Sequence, residues 1–127
     1  FDTMVTNSDF ISIHVPLTPE TKNLFDKATI LKMKKDAYLI NMGRGGIVNE
    51  SDLYEVMKDG HLMGASLDVI EKEPMQVDDP LLTLDNFVIT PHIGMYSKES
   101  VGSVSIVCAE NVAAMLTNKG ELKNIIQ

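Results

Sequence analysis

Four short apolar runs rich in β-branched residues, each followed by a segment of helix or loop length, most constrain what this chain can fold into. They are Phe10–Val15, stopped by Pro16; Tyr38–Met42, running into Gly43; Gly64–Val69; and Phe87–Thr90, stopped by Pro91. Such runs read as strands with marked ends. Between them lie helix signals. Thr18-Pro19-Glu20 has a hydroxyl at a cap, proline at the first helical position and an acid in the first turn. Asp26 stands as a cap before Lys27–Lys35, Asn49 before Ser51–Lys58, and Gly60 lies where that helix should end. A final helix of about 20 residues starts near Ser97, with Val101, Val104, Val107, Cys108, Val112, Met115 and Leu116 on one stripe, Cys108 reading as core. Alternation of strand and helix, with strands too uniformly apolar for one face to be wet, predicts an α/β fold whose parallel sheet is covered on both faces.

Composition narrows the partners. At 127 residues, 44% apolar, the chain is about one domain and can bury a core. Its formal charge of −7 argues against nucleic acid or an anionic membrane surface as a partner, because both reward clustered Lys and Arg. No uninterrupted apolar stretch approaches the roughly 18 residues of a membrane span, and FDTMVTNSDF does not have the design of a secretion signal. A lone Cys108 forms no internal disulfide, in keeping with a reducing compartment, so a cytoplasmic protein is expected. No His, Cys or carboxylate set has metal-ligand spacing, and the eight methionines read as gap-fillers.

In an open parallel sheet, ligands sit beyond the carboxyl ends of the strands. The polar groups obey that rule: His14-Val15-Pro16 ends the first strand, Gly43-Arg44-Gly45 the second, Asp68 the third and His92 the fourth. Glycines there would let the backbone approach a flat ligand, while Arg44 supplies a fork of donors suited to a carboxylate, each charge-assisted bond worth about 1.5–3 kcal/mol. His92 can move a proton near neutral pH, and Glu73, if it lies against the ring, would orient it. Carboxylate clamp, carbonyl and proton donor together suit reduction of a 2-keto acid. His14 is expected to pack and hydrogen-bond at its strand end, and His61 to be solvated.

The runs SDFISIHVPLTPET, LINMGRGGIVNESDL, GASLDVIEKEP and FVITPHIG resemble, in order and spacing, the cofactor domain of the D-isomer-specific 2-hydroxyacid dehydrogenases. The resemblance implies a Rossmann-like sheet and an NAD-dependent oxidoreductase interconverting a 2-keto acid and a D-2-hydroxy acid. In it Arg44 binds the substrate carboxyl and carbonyl, and His92 is the general acid/base paired with Glu73. Asp68 faces the nicotinamide end, and Val15, Pro16, Thr21, Met42, Gly43 and Gly94 line the cofactor with Arg44 and His92. Bulky Met95-Tyr96 resembles the branch acting on D-lactate and similar small or apolar acids. A homodimer is implied for a full-length member. Related NAD-sensing corepressors imply a second reading, a binding protein of the same fold.

The departures are specific. GRGG does not fit G-x-G-x-x-G, and the glycine-rich phosphate loop with its later acidic residue is not in the sequence. The chain therefore reads as the back half of a dinucleotide-binding domain, with residues from about 118 to 127 leading back toward a substrate domain outside it. Such a piece is expected to leave a sheet face exposed and to be inactive alone.

Overall fold

A computed structural model describes residues 1–123, so the last part of the expected 118–127 return segment, residues 124–127, lies outside the described residues. The chain divides into two units, Phe1–His92 and Ile93–Gln127.

The first unit is built on four parallel strands in the order β1 (Phe10–Ile13), β2 (Tyr38–Asn41), β3 (Gly64–Leu67) and β4 (Phe87–Ile89). Helices α1 (Asp2–Asn7), α2 (Lys27–Leu31) and α3 (Glu50–Lys58) and a short 3₁₀ turn at Pro80–Thr83 complete it. Parallel register places Ile11, Leu39, Ala65 and Phe87 in one row and Ile13, Asn41, Leu67 and Ile89 in the next, all on the same face. That face joins Val5 of α1, Ile30 of α2 and Leu53, Val56 and Met57 of α3 in one core. Burying a side chain such as Leu39 or Leu53, both fully enclosed, contributes about 1.5–3 kcal/mol each.

The opposite face carries the rows Phe10, Tyr38, Gly64 and Ser12, Ile40, Ser66, Val88. Phe10 is 67% exposed and Val88 58%, while the Phe10 and Tyr38 rings stack at 4.8 Å. The apolar strand pattern predicted cover on both faces and is corrected here, whereas the exposed face expected of the back half of a dinucleotide-binding domain is what the structure has. An apolar run cannot by itself say which of its two faces will meet a neighbour.

Local capping rules held where they are local. Asp26 accepts from Thr29 N–H at 2.8 Å and Asn49 from Asp52 N–H, and Gly60 follows α3 with φ 71°. Thr18-Pro19-Glu20 does not start a helix. The Thr18 N–H donates to Thr21 Oγ1, whose hydroxyl donates to the Pro16 carbonyl, both at 2.7 Å. These bonds close a turn instead, and Asn23 leaves it at φ 52°. Helix α2 stops at Leu31, short of Lys35, as bonds from Lys32 N–H to Thr29 O and from Met33 N–H to Ile30 O tighten its end. Sequence reading did not assign helix α1 or the 3₁₀ turn, although the latter carries a start signal, Asp79 accepting from Leu81 N–H at 2.9 Å ahead of Pro80 at the first position.

The second unit is dominated by α4 (Lys98–Thr117), capped by Ser97 and ended by Asn118 in the left-handed region. No residue of α4 is buried, so Cys108 is exposed and is not core. An apolar stripe signals a surface that needs covering, and it does not supply the cover. At mean hydropathy 1.4 over a span-length window α4 is also long and apolar enough to cross a membrane, a property shared with core helices of water-soluble proteins. No uninterrupted apolar stretch of that length is present, since Ser100, Ser103, Ser105, Glu110 and Asn111 interrupt α4 without making its average polar. Asn111 ties the following segment back, accepting from Lys123 N–H at 2.9 Å and donating to its carbonyl at 2.8 Å.

Candidate active site

All four strands are parallel, so their carboxyl ends share one edge, and two clefts open there within the first unit. One, of about 400 Å³, lies beyond β1 and β2 and is lined by His14, Val15, Pro16, Leu17, Met42, Gly43 and Arg44. The other, of about 450 Å³, lies beyond β3 and β4 and is lined by Asp68, Ile70, Glu73, Pro74, Met75, Ile89, Thr90, Pro91 and His92. Arg44 and His92 follow strands two places apart, a lateral separation of roughly 10 Å at the sheet.

The loop carrying Arg44 is held from beneath. Asn41 ends β2 facing the core and is 1% exposed. Its side-chain oxygen accepts from Gly43 N–H at 3.0 Å, and its amide donates to the Arg44 carbonyl at 2.9 Å. Sequence reading missed Asn41; the signal was a polar residue closing an otherwise apolar run. Arg44 itself is exposed, its Nη1 donating to the Gly43 carbonyl at 2.8 Å, and no ion pair joins it to a carboxylate among the described residues. The glycines beside it serve the fold. A Cβ on Gly43 would lie 2.7 Å from the Val15 carbonyl oxygen, and one on Gly45 would lie 1.9 Å from that of Ile70. The close approach expected toward a flat ligand is thus made, at these two positions, toward neighbouring backbone.

In the second cleft Glu73 and His92 meet. His92 Nδ1 lies 3.0 Å from Glu73 Oε2, and Glu73 Oε1 also accepts from Ile70 N–H at 3.4 Å. The hydrogen bond from His92 holds the Glu73 carboxyl below its usual range, with the Ile70 N–H adding to the effect and partial burial opposing it. An imidazole bound at Nδ1 to a carboxylate presents Nε2 on the opposite side of the ring, where it can exchange a proton with a ligand. His92 is in the left-handed region at φ 54°, a conformation costing a β-carbon-bearing residue on the order of 1–3 kcal/mol. Asp68, 4% exposed, closes β3, and its Oδ1 accepts from the Thr90 hydroxyl at 2.5 Å.

Other expected residues have different partners. Thr21 lines neither cleft and commits its hydroxyl to the Pro16 carbonyl, so its effect on that rim is exerted through the loop. His14 hydrogen-bonds Ser12 Oγ through Nε2 at 2.7 Å, as expected, but is exposed instead of packed. His61 is not simply solvated: half-buried, its Nε2 lies 3.0 Å from the Met33 carbonyl. Gly94 belongs to the second unit.

Val15, Pro16 and Leu17 give the first cleft an apolar wall beside Arg44, while the second sets the Asp68 carboxylate and the His92–Glu73 pair against Ile70, Met75 and Ile89. A parallel sheet with this chemistry along its carboxyl edge defines a nucleotide-binding α/β domain. Residues 1–94 match the family described as D-isomer specific 2-hydroxyacid dehydrogenase, NAD binding domain, and the chain belongs to that family. It is 47% identical over 115 residues to a D-3-phosphoglycerate dehydrogenase of Archaeoglobus fulgidus, covering 91% of this chain and 22% of that protein. It is 44% identical over 121 residues to a glyoxylate reductase of Thermofilum pendens, covering 95% of this chain and 35% of that one. A crystal structure of D-lactate dehydrogenase with NAD+ from Lactobacillus jensenii superposes with a TM-score of 0.87 at 29% identity, covering 100% of this chain and 42% of that chain. The chain thus spans well under half the length of these relatives.

Proposed function

We propose that this domain works as the NAD-binding part of an oxidoreductase interconverting a 2-keto acid and a D-2-hydroxy acid. The observation that carries the reading is the His92–Glu73 pair, 3.0 Å apart at the carboxyl edge of the sheet. Val15, Pro16, Met42 and Gly43 would line the cofactor and Asp68 would face its nicotinamide end, where the bound cofactor supplies or takes up the hydride. His92 would hold the proton at Nε2 and deliver it to the keto oxygen, while Glu73 keeps the other nitrogen protonated and the ring oriented. Arg44, exposed and without a carboxylate partner among the described residues, would clamp the substrate carboxylate and polarise its carbonyl. The relatives above are named as dehydrogenases and a reductase, which favours an enzyme over the corepressor reading. In the full-length protein we also expect a homodimer.

The test is to follow NADH absorbance in the full-length protein with glyoxylate, pyruvate and 3-phosphohydroxypyruvate. Turnover with at least one, lost roughly 10²–10⁴-fold in His92→Ala, is the expected outcome. Absence of turnover with every keto acid, or a His92→Ala variant as fast as wild type, overturns the reading.

A further inference from the structure

His92 has a backbone conformation that a side-chain-bearing residue keeps only where its surroundings over-determine it. The exit from β4 shows what does so. The His92 N–H is shared between the carbonyls of Asp68 at 2.9 Å and Thr90 at 3.0 Å, and the Thr90 N–H donates to the Leu67 carbonyl at 3.1 Å. One contact in this set is made by a side chain, the Thr90 hydroxyl donating to Asp68 Oδ1. Asp68 is nearly enclosed, and Thr90 is half-buried and β-branched, so both partners have few rotamers to choose from.

We propose that Thr90 is a positioning residue: by donating its hydroxyl to the Asp68 carboxylate it locks the β4 exit in the shape that carries His92 into the left-handed region with Nδ1 on Glu73. This rests on the reading of His92 as the acid/base group. Thr90 touches neither the imidazole nor the Glu73 carboxylate by any hydrogen bond among the described residues. It acts through the backbone of residues 90–92, which Asp68 holds at both its carboxylate and its carbonyl. A hydroxyl is required, and a side chain of the same shape without one should not serve.

The experiment compares Thr90→Val, which keeps the shape, with Thr90→Ser, which keeps the hydroxyl, in the full-length protein. Two readouts are taken: steady-state kinetics across pH, and the imidazole nitrogen and Nδ1–H proton resonances of His92. Thr90→Val should lower kcat by roughly 10–100-fold, with KM for NADH nearly unchanged, and should broaden or shift the Nδ1–H resonance. Thr90→Ser should restore both to near wild type. A Thr90→Val protein with a wild-type Nδ1–H resonance overturns the proposal whatever its rate, as does a Thr90→Ser protein no better than Thr90→Val. If Thr90→Val does not fold, Thr90→Ala is judged by the same two criteria. Should wild type itself turn over no keto acid, the proposed function fails, while the resonance comparison still decides whether Thr90 positions the ring.

Discussion

Asn41 holds the turn that carries Arg44 at two points, donating its amide to the Arg44 carbonyl at 2.9 Å and accepting the Gly43 N–H at 3.0 Å. The Gly43 bond is buried, so water does not replace it when it is lost. Through it, the conformation of an exposed guanidinium is tied to the interior of the sheet.

Asn41→Leu removes both bonds and leaves the Gly43 N–H without its partner in a dry place, at a cost of about 1–3 kcal/mol. Thermal unfolding should show the loss. In the full-length protein KM for the keto acid should rise more than KM for NADH, since the displaced group is Arg44. Equal changes in both would show that the turn does not specifically serve Arg44.

Gly45→Ala should be among the most damaging single substitutions in the first unit. The new methyl would sit 1.9 Å from the Ile70 carbonyl oxygen, which is backbone and cannot swing away. Overpacking of this kind costs typically about 1–3 kcal/mol or more. Gly60→Ala is the control, because nothing lies within 4 Å of its Cβ and the penalty there arises from φ 71° alone. Denaturant midpoints should fall further for Gly45→Ala than for Gly60→Ala.

Glu73 sets a pH dependence through its lowered carboxyl pKa, caused first by the His92 hydrogen bond. A folded value below the unfolded one means that the stabilisation is present above the ordinary carboxylate range and is lost as pH falls through the lowered value. Its side chain is 41% exposed, so solvent screening keeps the effect small, below about 1 kcal/mol. Glu73→Gln should therefore change stability little while lowering kcat/KM, and should flatten the acid limb of the stability curve. A variant with wild-type kcat/KM would remove Glu73 from the orienting role.

Glu50 has the opposite sign. Its half-buried carboxylate accepts from Glu71 N–H at 2.6 Å, yet burial raises its pKa, with Asp79 and Glu71 adding repulsion. A folded value above the unfolded one leaves a penalty that is absent below the ordinary carboxylate range and appears as pH rises through the raised value. Glu50→Gln should thus gain on wild type as pH is increased from about 4 to 7. Melting curves across that range check it, and a gap that narrows on raising pH would contradict the assignment.

The sequence determined what depends on neighbours along the chain. Apolar runs broken by helix-length segments specified a parallel α/β sheet, and the caps at Asp26 and Asn49 were legible because each closes on a backbone N–H three residues away. Strand ends located Arg44, Asp68 and His92 along one edge, since every parallel strand finishes on the same side. Pairing Glu73 with His92 needed the family resemblance, because no local rule joins a loop acid to an imidazole nineteen positions later.

Tertiary structure alone decided the rest. Pattern could not tell that Gly43 and Gly45 face the carbonyls of Val15 and Ile70, that Asn41 braces the Arg44 turn, or that Thr90 binds Asp68. Strand pattern placed cover over both sheet faces and the α4 stripe read as core, where Phe10, Val88 and Cys108 are in fact exposed; only the reading as the back half of a domain pointed to a bare sheet face. Hydrophobicity records a tendency to be buried, but burial also requires a second surface in the right place, and that is a property of the assembled fold.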